Sequence, residues 1–226
     1  MESHEFWQDF TPREHCPAAP FTNGFPAEMP DGRRLLLPIR PLADSGNAIA
    51  SLILNQASFS VEGAIADHLA QSMEDARIDL VIGMPTLGLT LARAVAERLG
   101  HSRFVPLGTS RKFWYRDEWS EPMASITSPD IAKRLYVDPR MMPLIEGRRV
   151  ALIDDVLSSG TSICAALDLL ERVGVTPVAL GAAMVQTRRW HSLLADRYPG
   201  LEHRVHHVIK SPLLMASGAG WLPVPD

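Results

Sequence analysis

The stretch Val150 to Ser162, VALIDDVLSSGTS, holds the densest chemistry in the chain. Four apolar residues run into two acids, Asp154 and Asp155. A loop of small residues, Ser158, Ser159, Gly160, Thr161 and Ser162, then opens a helix-like segment. Hydroxyl groups and the free amides at a helix start hold an anion, and the helix dipole adds to the attraction. This is the pattern of a phosphate cradle. It has no Lys, so it is not the GxxxxGK[ST] nucleotide loop. Two adjacent acids would repel a phosphate unless they face something else, such as hydroxyls or a metal-bound sugar. The plain alternative is an acidic strand end followed by a Ser/Thr helix cap. Each piece of the motif is common, but the whole string after a buried strand is not.

Two more segments carry reactive or binding groups. Val81 to Leu91 reads VIGMPTLGLTL, and its turn places Thr86, Leu87 and Gly88 before a helix. Gly88 lets a backbone come close to a ligand, and the string lacks the GxGxxG spacing of a dinucleotide site. Gly108 to Pro129 contains Arg111, Lys112, Arg116 and four aromatic residues. Loops of that length without evident structure are usually functional or disordered. His203, His206 and His207 suggest metal spacing, but adjacent residues of a strand point to opposite sides. Cys164, on the helix after the hydroxyl loop, reads as a small packing residue.

The elements that must position these groups follow from periodicity. Val61, Ile65, Leu69 and Met73 recur every four residues over Ser58 to Ala76, which predicts an amphipathic helix. Leu87 to Leu99 and Thr161 to Val173 read as helices ended by Gly100 and Gly174. Leu80 to Met84, Arg103 to Leu107, Arg134 to Val137, Arg149 to Asp154, Val175 to Val185 and His206 to Ile209 read as strands. Strands alternating with helices predict an α/β fold, a parallel twisted sheet flanked by helices. Ligands of such sheets bind beyond the carboxyl ends of the strands, which selects Pro85 to Gly88, Gly108 to Pro129 and Asp155 to Gly160. Seven of the 18 prolines lie between Pro12 and Pro41. Residues 1–50 therefore read as an extended arm with an edge strand at Arg33 to Ile39, residues 51–210 as the main domain, and the Pro- and Gly-rich 211–226 as a tail.

Composition bounds the rest. The chain has 226 residues, 46% hydrophobic and 21% charged, which excludes bulk disorder. A formal charge of -4 argues against nucleic acid as a partner. No apolar run is long enough to span a membrane, the N-terminus MESHEFWQDF does not read as a secretory signal, and two cysteines make no disulfide framework. The expectation is a cytoplasmic protein without membrane contact.

The VALIDDVLSSGTS string resembles the 5-phosphoribosyl-1-pyrophosphate (PRPP) motif of the type I phosphoribosyltransferases, a similarity covering roughly Ser51 to Val185. That family's fold adds a small hood from the terminal segments. The resemblance implies that Asp154 and Asp155 bind the ribose 2- and 3-hydroxyls and that Ser158 to Ser162 hold the 5-phosphate. It implies that the turn at Thr86, Leu87 and Gly88 cradles pyrophosphate, often with a strained peptide bond. It also implies a mobile loop at Gly108 to Pro129 that closes over the site. Arg111 and Lys112 match an Arg-Lys pair of the adenine and xanthine branches, where it often reaches across a dimer interface. Leu52 to Val61 (LILNQASFSV) is similar to the segment in xanthine phosphoribosyltransferases whose Asn helps bind the purine, so Asn55 is a base-site candidate. As an alternative it is a turn or cap residue. Trp221 would stack on the base from the hood or pack a terminus. The position where the hypoxanthine-guanine branch has an acid is Ser158 here, which argues against that branch. The expected activity is transfer of phosphoribose from PRPP to a purine nucleobase in purine salvage, by a homodimer, with Mg2+ held through PRPP near Asp154 and Asp155. The alternatives are an orotate or uracil enzyme, or a PRPP-sensing regulator without catalytic activity.

Overall fold

The computed structural model describes residues 2–43, 45–123 and 133–225. In chain order, β1 (Gly24–Glu28), β2 (Arg34–Pro41) and β3 (Asn47–Ala50) precede α1 (Phe59–Ser72), β4 (Leu80–Gly83), α2 (Gly88–Arg98) and β5 (Val105–Pro106). A ribbon of β6 (Ser120–Met123) and β7 (Lys133–Tyr136) and the short α3 (Met142–Ile145) follow. The chain then runs through β8 (Val150–Leu157), α4 (Thr161–Arg172), β9 (Ala179–Gln186), α5 (Arg189–Arg197), β10 (Val205–Ser211), β11 (Leu213–Ser217) and β12 (Gly220–Pro223).

The centre is a five-stranded parallel sheet in the order β10-β9-β8-β4-β5. Its middle strands are apolar end to end, and every residue of β4 and β9 is buried, because helices cover both faces. Alternate residues divide between the two sides. Ala151 and Ile153 of β8 pack with Val61 and Leu69 of α1 and Leu91 of α2. Val150 and Leu152 pack with Ile163 and Leu167 of α4 and Leu194 of α5.

The terminal segments form a second sheet, antiparallel, in the order β1-β2-β3-β11-β12. The expected edge strand at Arg33 to Ile39 is instead the second strand of that sheet. Its prolines are tolerated for a local reason. Residues 34–38 pair with β1 and residues 39–41 pair with β3. Pro38 sits where the partner changes from β1 to β3, and Pro41 is the last residue of the strand. Other limits shift too. β8 runs on through both acids to Leu157, and β9 begins at Ala179 rather than Val175, after Pro177. The segment from Gly108 is not formless: it contains a 3-10 turn at Asp117–Trp119 and enters β6. Its remainder, 124–129, lies outside the described residues.

The N-terminal arm grips the chain just before α1. Trp7, buried, donates from Nε1 to the Ser51 carbonyl at 3.1 Å and accepts from the Ser58 amide at 3.1 Å. Gln8 donates from Nε2 to the Gln56 carbonyl at 2.8 Å. The Ser58 hydroxyl accepts from the Val61 amide at 3.3 Å as the cap of α1 and donates to the Gln8 carbonyl at 2.5 Å. Ser58→Ala therefore removes a cap and an arm contact together. It should lower stability by about 1–2 kcal/mol, read as a drop in the thermal unfolding midpoint.

Candidate functional site

The carboxyl ends of the adjacent strands β4 and β8 bring the two loop motifs together. The Met84 amide donates to the Ile153 carbonyl at 2.8 Å, and the chain turns at Pro85, through a cis Pro85–Thr86 peptide, into α2. Gly88, the first residue of α2, lies directly over Asp154. A side chain there would put its Cβ 2.8 Å from the Asp154 Cα and 2.9 Å from its Oδ1, closer than any side chain can sit. Thr86 is exposed and Leu87 half-buried beside it.

Asp154 is 9% exposed. Its Oδ1 accepts the Asp155 amide at 2.9 Å. Burial, with the neighbouring Asp155 charge second, raises the Asp154 carboxyl well above the ordinary aspartate value of 3.8. Burial raises half-buried Asp155 as well. Beyond them, Gly160 adopts a left-handed φ of 85° to turn the chain into α4, and a side chain there would meet the Trp190 Cα of α5 at 3.0 Å. The Ser159 hydroxyl lies 2.9 Å from that of Thr161 and 3.3 Å from the Thr161 amide. Ser158, Ser159, Thr161 and Ser162 are all half-buried, facing the same end of the sheet. The Ser158 hydroxyl donates to Oε1 of Gln186, at the end of β9, at 3.0 Å.

The other expected site residues have different surroundings. Arg111 is paired within its own loop, with Nε 2.6 Å and Nη2 3.2 Å from the Asp117 carboxylate. No hydrogen bond joins it to Asp154 or Asp155 among the described residues. Lys112 is exposed beside Phe113, itself 90% exposed. The loop is anchored by its aromatic residues: Trp114 donates to Asp138 at 3.4 Å under the Arg140 guanidinium, and Tyr115 packs on Tyr136. Asn55 is exposed in a 3-10 turn that packs near α2, and the cap of α1 is Ser58 rather than Asn55. Trp221 packs in the small core of the second sheet with Phe21, Ile39 and Leu214. Gln186 escaped the sequence reading. Its one signal was a polar residue ending an apolar strand on the side where ligands bind.

Among the described residues no three His, Cys, Asp or Glu side chains converge on a metal position. His206 and His207 are pushed down by burial, towards the neutral form. Two adjacent carboxylates offer too few oxygens for the octahedral shell of Mg2+, so a magnesium ion fits here only with most of its ligands from substrate and water.

The chain matches the phosphoribosyl transferase domain model over residues 54–207, and it belongs to that family. It is 33% identical over 127 residues to the bifunctional protein PyrR of Streptomyces coelicolor, covering 55% of this chain and 61% of that one. It is 34% identical over 118 residues to an adenine phosphoribosyltransferase of Thermobifida fusca, covering 52% and 63%. It is 32% identical over 118 residues to the transcriptional regulator GfcR of Halobacterium salinarum, covering 52% and 49%. The chain thus spans half to two thirds of the length of these relatives. The solved adenine phosphoribosyltransferase of Giardia lamblia has the same fold, with a TM-score of 0.61 at 22% identity, covering 77% of this chain and 93% of that one.

Burial of Asp154 has a consequence for stability. A carboxyl raised by folding contributes stability that is full below its unfolded value, near 3.8, and is lost as pH rises through the folded value. Ionising this carboxyl therefore works against the fold. Asp154→Asn should raise stability at pH 7 by about 1 kcal/mol, or about 2–4 °C in the unfolding midpoint. The gain should shrink towards zero as the pH is brought to 4. Denaturation at a series of pH values checks this.

Proposed function

We propose that this protein transfers the 5-phosphoribosyl group of PRPP to a purine base and releases pyrophosphate. The observation that carries this reading is the contact of Gly88 with Asp154. It brings the Thr86–Gly88 turn against the first of the two acids, and the Ser158–Ser162 loop follows those acids at the end of β8. In this reading the amides and hydroxyls at the start of α4 hold the 5-phosphate, and the turn before α2 holds the pyrophosphate. Asp155, the more open acid, and Asp154 beneath it accept hydrogen bonds from the ribose hydroxyls. The transition state resembles an oxocarbenium ion, so carboxylates below the ring favour it while the loop amides steady the departing anion. Mg2+, when bound through PRPP and water, adds positive charge to the leaving group. Lys112, and Arg111 once freed from Asp117, add cationic charge when the loop closes and excludes water.

A purine acceptor is supported by the adenine phosphoribosyltransferases among the relatives and by Asn55. Its exposed amide both donates and accepts, as reading a purine edge requires. The packing of Trp221 makes it a support of the hood more than a stacking partner. The reading includes a homodimer, in which a second copy covers exposed Phe113, and a reducing cytoplasm, in keeping with the unpaired Cys16 and Cys164. A second reading, a PRPP-sensing regulator, is favoured by the similarity to PyrR and GfcR.

Pyrophosphate release with PRPP, Mg2+ and a panel of adenine, xanthine, guanine, hypoxanthine, orotate and uracil separates these. Turnover is expected with a purine. Orotate or uracil as best acceptor overturns the base assignment, and PRPP binding without turnover of any base favours the regulator. The double variant Asp154→Asn, Asp155→Asn should lose at least about 100-fold in kcat while remaining folded by circular dichroism. Asn55→Ala should raise the KM for the base about 5- to 150-fold, the equivalent of one lost hydrogen bond to a buried partner, and leave the Kd for PRPP unchanged.

A further inference from the structure

Gln186 ends β9 with a side chain that is 3% exposed and fully engaged. Its Nε2 donates to the Ala50 carbonyl at 2.8 Å, and its Oε1 accepts from the Ser158 hydroxyl at 3.0 Å. The orientation of the amide is fixed by chemistry. A backbone carbonyl only accepts, so the nitrogen must face Ala50 and the oxygen must face Ser158. Ser158 is the first residue of the hydroxyl loop. Ala50 ends β3 and leads directly into residues 51–57, the segment that carries Asn55. The same segment is gripped from its other side by Trp7 and Gln8. After Gln186 the chain turns sharply at Thr187, whose φ of 58° is an outlier for a β-branched residue. Such a conformation persists only where the surroundings over-determine it, and the two bonds of Gln186 are part of those surroundings.

We infer that Gln186 is a positioning residue that fixes the distance between the phosphate loop and the base segment. The inference rests on the functional reading above, in which those two segments hold the two substrates. It also reassigns one group. A serine hydroxyl has a single proton, and that of Ser158 is given to Gln186. The 5-phosphate is then held by the main chain at Ser158, by the Ser162 hydroxyl and by the one proton left over in the Ser159–Thr161 hydroxyl pair, while the Ser158 hydroxyl is one end of the brace. Small errors of placement between reacting groups are costly to rate, because the bound geometry replaces a chance encounter.

Two readouts test the brace on the full chain. The first needs no turnover. Gln186→Met, which keeps the volume and loses both bonds, should speed amide exchange over residues 51–57 about ten-fold or more with α1 unchanged, as local opening without global unfolding. The second is kinetic. The same variant should lower kcat/KM for the base about 10- to 100-fold, with the Kd for PRPP changed less than about three-fold, under one kcal/mol by the usual conversion. Ser158→Ala should reproduce both changes, and the double variant should be no worse than either single, the non-additivity of two residues in one contact. Unchanged exchange over residues 51–57 in both variants overturns the brace. So does a weakening of PRPP by Ser158→Ala that Gln186→Met does not share, since the hydroxyl would then belong to the phosphate. Should Gln186→Met fail to fold, Ser158→Ala decides by the same readouts. Absence of base turnover in the unaltered protein counts against the functional reading and leaves the exchange result standing.

Discussion

With no side chain at position 88, the first turn of α2 rests on the backbone of β8 at Asp154, at a distance that even one methyl group would forbid. The rest of the site depends on that approach. It brings the turn at Pro85–Leu87 beside the two acids instead of one side-chain layer away. It also closes water off from Asp154, and that burial is what raises the carboxyl. The sheet makes the approach available because β4 and β8 are neighbours in register, Gly83 opposite Ile153. The turn after β4 therefore meets β8 at its two acids, while β8 runs on to Leu157 before the hydroxyl loop begins. A glycine, a strand pairing and a buried acid are one device.

The parts of this device differ in how plainly the sequence shows them. The parallel sheet was legible because its strands are unbroken apolar runs, and the helices because Val61, Ile65 and Leu69 repeat at helical spacing. The hydroxyl loop was legible because small polar residues between two apolar elements have few other uses. The second sheet was largely illegible. Its strands are short and proline-bearing, and β3 pairs with β11, more than 160 residues away in the chain, as Leu213 opposite Ile49 shows. Local pattern carries no information about such a pairing. The ion pair of Arg111 with Asp117 was hidden for a different reason. A cation and an acid six residues apart meet only if the intervening turn brings them round, and the composition of the loop does not say so. Gln186 has no motif at all, and its role exists only in the distance between two segments that the fold brings to either side of it.

The match to the family model begins at residue 54 and ends at residue 207. It therefore includes the Thr86–Gly88 turn and the Ser158–Ser162 loop and omits most of the second sheet, with its strands before residue 51 and after residue 212. That division has physical sense. A phosphorylated sugar is held by backbone amides and helix starts, which any sequence with the right glycines can supply. In the proposed reading the acceptor side needs particular side chains at particular heights, and the arm at Trp7–Gln8, β3 and the brace would set them. Relatives that match this part bear the names of an enzyme and of regulators alike, so the matched part by itself does not separate the two proposed readings.

The absence of a lysine from the Ser158–Ser162 loop constrains the electrostatics of the whole site. Without a fixed cation, attraction for a phosphate comes from hydroxyl and amide dipoles and from the start of α4, a field that an adjacent pair of full negative charges would cancel. Burial resolves the conflict. Both carboxyls are raised, Asp154 by burial and then by the Asp155 charge, Asp155 by burial against the lowering effect of its hydrogen bond with Asp154, so the pair is harder to ionise than two exposed aspartates. Their hydrogen-bonding capacity is kept, and the proposed contacts with ribose hydroxyls would use it. The same weak field explains why cations are needed from outside the loop. A departing pyrophosphate would gather more charge than dipoles alone can hold. In the proposed reaction the basic residues of the 108–123 segment and a magnesium ion carried by the substrate would supply the balancing charge. A loop of hydroxyl and amide dipoles can thus stand beside two acids because burial makes those acids hard to ionise, while Arg111, in its pair with Asp117, lies outside that loop.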